Sequence, residues 1–312
     1  MKLATFSLRS RPAELRVGAL AAGRMLDLTS CAVPVGVDPA SARSMRTLLA
    51  QGDAGLRWVR SLLAAPPAGA VHDLDAVRFR PPVPDAAKFL CVGKNYRTHL
   101  EELKRTDLIR EIPAEPTGFV KLNACLAGHD EPVIRPPDVV HLDYEPELVF
   151  VIGKPAFRAG AEGAFDCVAG ITLLNDLTCR DTQKREVASG SRFWTAKNAP
   201  GFGPLGPWII TMDEVPDPYD IWVTCRVNGE LRMRVNTRDQ IWKLPDILVH
   251  FSRLIPLEPG DMFSTGAPGG VAVGKPNALE LFLKPGDVVE CAFESPSMVL
   301  RTPIVAATGA AS

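Results

Sequence analysis

Apolar residues fall in short runs along most of the chain. From Lys88 onward, KFLCVG, ELVFVIG, VAGITLL, PWIIT, IWVTCRVNG, DMFSTG and DVVECAF are mostly bounded by Gly, Pro, Asp or Asn, which predicts strands between turns. Only two segments there carry a helical pattern: YRTHLEELKR at 96–105 and WKLPDILVHFSRL at 242–254, the second with its proline in the first turn. Many strands, few helices and no βαβ rhythm predict an α+β, β-rich fold. Residues 1–80 have another texture, rich in Ala, Arg and Pro, with one helical pattern at 41–65 that Gly52 and Gly55 divide. The stretch APPAGAVHDLDAVRFRPPVPDAAK holds two Pro-Pro pairs and Pro84 and reads as an extended connector. The expected division is a small N-terminal domain with linker over 1–80 and a catalytic domain over 88–306. The closing ATGAAS reads as a frayed tail.

In HLDYEPELVFVIG the polar His141, Asp143, Glu145 and Glu147 alternate with Leu142, Tyr144, Pro146 and Leu148, so strand geometry puts both glutamates on one face. A solvated face is the plain reading of that pattern. The alternation nevertheless stops at Leu148, where the strand becomes apolar on both sides, and Pro146 suits a bulge or an unpaired edge. Asp176 follows the apolar run 168–174; it either caps a turn or joins the two glutamates. Three carboxylates together would repel one another without a cation. An all-oxygen set selects a hard ion, Mg²⁺ first, with Mn²⁺ and Ca²⁺ as alternatives. His99 and Glu102, three apart on the 96–105 helix, form either a proton-transfer pair or a surface ion pair. Lys197, in RFWTAKNAPGFGP, either stabilises a developing oxyanion or is a solvated loop lysine.

Composition narrows the field. Across 312 residues, 46% are hydrophobic and 23% charged, with net charge −1, so no overall field favours nucleic acid or an anionic membrane. Arg9 and Arg11 interrupt any signal-peptide core, and no apolar stretch reaches the ~20 residues of a membrane span; a cytoplasmic protein is expected. The seven cysteines are scattered without CxxC spacing, which argues against disulfides and zinc and for buried, reduced thiols. Residues 269–275, GGVAVGK, fit G-x-x-x-x-G-K, but Pro276 follows where Ser or Thr must hold Mg²⁺. Nucleotide binding is therefore rejected in favour of a glycine-rich loop lining a pocket.

Taken in order, CVGKNYRTHLEE, LDYEPELVFVIGK, GITLLNDLTCRDTQ, WTAKNAPGFGPLGPWI, VNGE, LEPGDMFSTGAPGGV and LKPGDVVE resemble the fumarylacetoacetate hydrolase family from about Lys88 to about Val305. The resemblance implies a mixed β-sandwich roll, one divalent metal per site and a homodimer. By motif, metal ligation falls to Glu145, Glu147 and Asp176, and catalysis to His99, Glu102 and Lys197. Substrate contact falls to Tyr96, Arg180, Gln183 and Thr265. The implied activity is metal-dependent hydrolysis of a carbon–carbon bond in an acylpyruvate-type 2-oxo acid through an enolate. Decarboxylation, isomerisation and hydration are the alternatives within the family. Three departures stand out: Ala267 in place of a threonine, Leu122 in place of a proline, and FESPSMVLRTP in place of a glycine-rich segment. They point to altered specificity, or to a metal-stabilised binding protein without turnover.

Overall fold

The computed structural model describes residues 1–105, 113–190 and 194–307. The chain opens with β1 (Lys2–Leu8), β2 (Arg11–Ala21) and β3 (Arg24–Asp27), then α1 (Met45–Ala50) and α2 (Gly52–Ala64), then β4 (Val71–Asp73) and β5 (Val77–Phe79). Next come β6 (Phe89–Gly93), α3 (Arg97–Arg105), β7 (Thr117–Val120), β8 (Leu126–Ala127) and β9 (Val133–Arg135). The middle holds β10 (Leu142–Asp143), β11 (Pro146–Ile152), β12 (Val168–Asn175), β13 (Thr178–Cys179) and α4 (Arg180–Ala188). After β14 (Gly203–Pro204), β15 (Ile209–Thr211), β16 (Trp222–Val227) and β17 (Glu230–Asn236) come α5 (Leu244–Ser252) and β18 (Met262–Ser264). A single-turn α6 (Ala278–Leu281), β19 (Val288–Phe293) and β20 (Met298–Ala306) complete the described chain.

An eleven-stranded sheet runs β4-β3-β2-β1-β15-β12-β11-β18-β6-β7, with β5 also on β1, and a five-stranded sheet runs β17-β16-β19-β20-β9. The mixed, β-rich architecture is the one the turn-bounded apolar runs predict. β11 explains how the layers meet. Leu148 and Phe150 face a core shared with Val223, Cys225 and Leu300 of the smaller sheet. Val149 and Val151 face the opposite core, which holds Leu48, Trp58 and Val59 of the two N-terminal helices. Both faces of β11 are thus covered, and an unbroken apolar run is what such a strand requires.

The apolar pattern does not announce β1 to β5. β1 is buried at five consecutive positions, whereas the first five residues of β2 are all exposed; neither shows a two-residue period. Part of the expected connector is instead paired, β4 with β3 and β5 with β1. The helical pattern at 41–65 does divide at Gly52, whose φ of 52° favours glycine. Gly55 lies inside α2, where a Cβ would come 2.9 Å from the Leu48 carbonyl oxygen. α3 and α5 form close to their expected limits, with Pro245 in the first turn of α5. Of the tail ATGAAS, all but Ala307 lies outside the described residues. Among the described residues no helix is long and apolar enough to cross a membrane.

Candidate metal and proton-transfer site

The expected single strand through 141–148 is in fact two. β10 pairs with β13, and β11 starts only at Pro146, opposite Asn175 of β12. Tyr144 and Glu145 form the joint between them. There the Asn175 side chain accepts from the Glu145 amide at 3.0 Å, and the Asp176 amide donates to the Glu145 carbonyl at 2.8 Å. The joint therefore brings Glu145 against Asp176. The bulge expected near Pro146 lies at the far end of β11, between Val151 and Ile152.

The glutamates do not form a wet face. Glu145, Glu147 and Asp176 are 3%, 2% and 0% exposed, and one carboxylate oxygen from each lies within 4.8 Å of the others. Lys197 Nζ is 2.5 Å from Glu145 Oε2 and also donates to Asp176. Arg180 Nη2 lies 2.6 Å from Glu145 Oε1 and 2.8 Å from Asp143 Oδ2. Burial disfavours charge on Glu145, but Lys197 and Arg180 outweigh it and hold its carboxyl well below the usual range. Burial also opposes the Lys197 ammonium, and Asp176 with Glu145 overcomes it, so its pKa is raised.

Glu147 behaves differently. Burial pushes its carboxyl well above the ordinary value, and repulsion from Asp176 adds to that. Its hydrogen-bond donor is the neutral Ser264 hydroxyl. A buried carboxylate beside two others, with a neutral donor of its own, is the arrangement that a divalent cation completes. The donor set, three oxygens with neither His nor Cys, fits Mg²⁺, Mn²⁺ or Ca²⁺.

A small cavity opens onto this cluster, lined among others by His99, Phe119, Glu145, Glu147, Gln183, Lys197 and Ala267. His99 Nδ1 is 3.3 Å from Glu102 Oε2, and Glu102 Oε1 accepts from the Gly270 amide at 2.7 Å. The structure thus brings His99, Lys197, Gln183 and the three carboxylates to one place. Gln183 also accepts from Arg180 at 2.8 Å. Tyr96 and Thr265 are not among the residues that line the cavity, and both are fully buried. Gln240 Nε2 donates to the Tyr96 hydroxyl at 3.0 Å and reaches Thr265 Oγ1 at 3.4 Å. Burial raises the Tyr96 phenol, so it stays protonated.

The glycine-rich segment 269–275 serves α3 more than the cavity. A Cβ on Gly269 would meet Thr98 at 2.8 Å, and one on Gly274 would meet Glu102 Cδ at 2.6 Å. The FESPSMVLRTP departure forms the turn and second strand of the β19–β20 hairpin, away from the residues that line the cavity. Two residues bonded around the cluster were not anticipated. Lys121, fully buried, donates at 2.6 Å to both Asp176 Oδ1 and the Lys197 carbonyl. Asp143 accepts from Arg180 Nε at 2.8 Å. Lys121 had one available signal, a lysine following the apolar FV of GFVK.

The family model described as fumarylacetoacetate (FAA) hydrolase C-terminal matches residues 88–305. The human mitochondrial oxaloacetate tautomerase FAHD2A is 36% identical over 265 residues, covering 85% of this chain and 81% of its own. Oxaloacetate tautomerase YisK of Bacillus subtilis (strain 168) is 36% identical over 222 residues, 70% of this chain and 71% of its own. Among solved structures, maleylpyruvate hydrolase from Sphingobium sp. SYK-6, in complex with manganese(II) and pyruvate, superimposes with a TM-score of 0.77. It is 27% identical and covers 99% of this chain and 100% of its own. With the buried carboxylate cluster in place and the match spanning most of its length, the chain belongs to the fumarylacetoacetate hydrolase family.

Proposed function

We propose that the chain is a divalent-metal-dependent enzyme that moves a proton between carbon and oxygen on a small 2-oxo acid, interconverting keto and enol forms of an oxaloacetate-like substrate. The His99–Glu102 pair carries this reading. With a carboxylate against Nδ1, the proton resides on that nitrogen and Nε2 is left basic. Bound by Glu145, Glu147 and Asp176, a divalent cation would supply Lewis acidity to the 2-oxo and carboxylate oxygens of the substrate. His99 Nε2 takes the proton from the carbon beside the carbonyl, and Glu102 steadies the imidazolium. Lys197, on the same cavity wall, donates to the oxygen on which negative charge gathers. The proton that His99 took is then passed to that oxygen, leaving His99 neutral and Lys197 charged as at the start, and the reverse sequence regenerates the ketone; only C–H and O–H bonds change. Val92, Phe119 and Ala267 give the cavity an apolar lining that limits access of water. The two relatives named as oxaloacetate tautomerases support the choice of substrate.

A second reading keeps the site and adds a hydrolytic water, with carbon–carbon cleavage of an acylpyruvate as the outcome. The likeness to maleylpyruvate hydrolase favours it. One assay separates the two. Enol-oxaloacetate and an acylpyruvate are incubated with the protein in Mg²⁺, Mn²⁺ or EDTA, and enol absorbance and released pyruvate are followed. Metal-dependent loss of enol without pyruvate supports tautomerisation. Pyruvate from the acylpyruvate selects hydrolysis, and pyruvate with CO₂ from oxaloacetate selects decarboxylation. No metal-dependent change with any substrate overturns the enzymatic reading and leaves a metal-stabilised binding protein.

A further inference from the structure

Asp143 lies outside the three-carboxylate cluster and does not line the cavity, yet it is fully buried and densely bonded. Its Oδ1 accepts from the amides of Tyr144 and Ala272, each at 2.9 Å. Its Oδ2 accepts from the Val273 amide at 3.0 Å and from Arg180 Nε at 2.8 Å. A buried carboxylate with that many donors is held at a fixed place.

The partners tie together two parts of the site. Arg180 carries the connection to Glu145, 2.6 Å from its Nη2. Ala272 and Val273 belong to the loop whose Gly270 amide holds Glu102. On one side of Asp143 stands a carboxylate of the cluster; on the other stands the segment that seats the carboxylate behind His99. Tyr144 lies between Asp143 and Glu145 in sequence, and its hydroxyl is 3.3 Å from the Gly270 carbonyl. The same loop is therefore gripped twice from residues 143–144.

We propose that Asp143 is a positioning residue that fixes Glu145 and Glu102 relative to each other, through Arg180 on one side and the 270–273 loop on the other. It thereby couples the seating of α3 to the assembly of the carboxylate cluster. This rests on the reading that the cluster holds a divalent cation and that His99 with Glu102 moves the proton. Removing Asp143 as a charge lets Arg180 and the loop relax independently, so both ends of the site lose register together.

The test is Asp143→Asn, with circular dichroism and thermal melts confirming a folded protein. Mn²⁺ affinity is measured by equilibrium dialysis, and kcat and KM are measured with enol-oxaloacetate. The expected result is a Mn²⁺ Kd weakened about tenfold and a lowered kcat, the range typical of partners that orient metal-site groups. In a double-mutant cycle with Glu102→Gln, the two losses in kcat should be clearly less than multiplicative. An unchanged Mn²⁺ Kd, or losses that multiply, overturns the proposal, since a merely structural aspartate would lower only the melting temperature. If wild-type protein turns over no oxaloacetate, the functional reading fails and the dialysis arm still decides the role of Asp143. If Asp143→Asn does not fold, Arg180→Lys keeps the charge but loses the two-sided reach; the same two losses are expected, and their absence overturns the link.

Discussion

Lys121 Nζ lies 2.6 Å from Asp176 Oδ1, with both side chains completely buried. The same ammonium holds the Lys197 carbonyl, so one residue fixes both a carboxylate of the cluster and the backbone of the lysine that meets it. Burial opposes the Lys121 charge and Asp176 overcomes it, raising its pKa. Lys121→Met keeps most of the volume and removes the charge. It should destabilise the metal-free protein by about 3 kcal/mol, the scale for breaking a buried ion pair. Urea unfolding in EDTA measures this, and saturating Mn²⁺ should recover part of the loss. An unchanged midpoint would leave the pair without energetic weight.

Metal removal should act on stability before it is seen in activity. With free Mn²⁺ at a hundred times its Kd, mass action adds about 2.7 kcal/mol to the folded state. Glu147→Gln should shift both ends of that comparison. The metal-free variant becomes more stable than wild type because a buried repulsion is relieved. The gain on adding Mn²⁺ shrinks because a ligand is gone. Thermal melts with EDTA and with Mn²⁺ check both, and a full metal-induced shift in the variant would remove Glu147 from the ligand set.

Gly274→Ala probes the seating of Glu102. The new Cβ would fall 2.6 Å from Glu102 Cδ and 2.8 Å from its Oε2. The end of a glutamate side chain moves aside cheaply, so the fold should survive while the carboxylate leaves His99. A displacement of that kind costs on the order of 10²-fold in kcat, with Mn²⁺ affinity unchanged. Steady-state kinetics beside dialysis would show it; equal losses in both would point to general damage.

Asp27 offers a test far from the site. It is fully buried, 2.5 Å from Arg16 Nη1, and accepts from the Thr29 amide at 2.9 Å. Burial works against its charge, but the bonds from Thr29 and Arg16 prevail and hold its pKa below the usual value. An acid with a depressed folded pKa stabilises the fold above its unfolded pKa, about 3.9, and loses that contribution as pH falls through the folded value. Asp27→Asn should therefore cost about 3 kcal/mol at pH 7, and the gap to wild type should close below pH 4. Urea midpoints at pH 7 and pH 3 decide it; a gap that widens in acid reverses the sign and the argument.

How much of this was legible in the chain differs from residue to residue. Glu145 and Glu147 were readable because two carboxylates entering an apolar strand demand a counter-charge. Asp176 was readable as an acid ending a second such run. Asp143 stands in the same alternation, but its partners come from Arg180 and from residues 272–273, a meeting that no local period encodes. Tyr96 and Thr265 were expected at the substrate, yet in the fold they share Gln240 in a buried network. Tyr96 precedes α3 and Thr265 follows β18, and a motif does not reveal which hydroxyls at such joints pair with a third buried side chain. β1 escaped notice because a strand covered on both faces looks like any short apolar run.

That strand also sets a clock for biosynthesis. Lys2 and Leu3 pair on one side with Leu20 and Ala19, which follow within moments, and on the other with Ile210 and Ile209. At ~5–20 residues per second of synthesis, the second partner arrives roughly 10–40 s after the first. β5 can cover Phe6 to Leu8 earlier, but until then the Lys2–Leu3 end of the nascent hairpin offers a bare strand edge in the crowded space beside the ribosome. The chain thus depends, for that interval, on whatever keeps such an edge from finding the wrong neighbour.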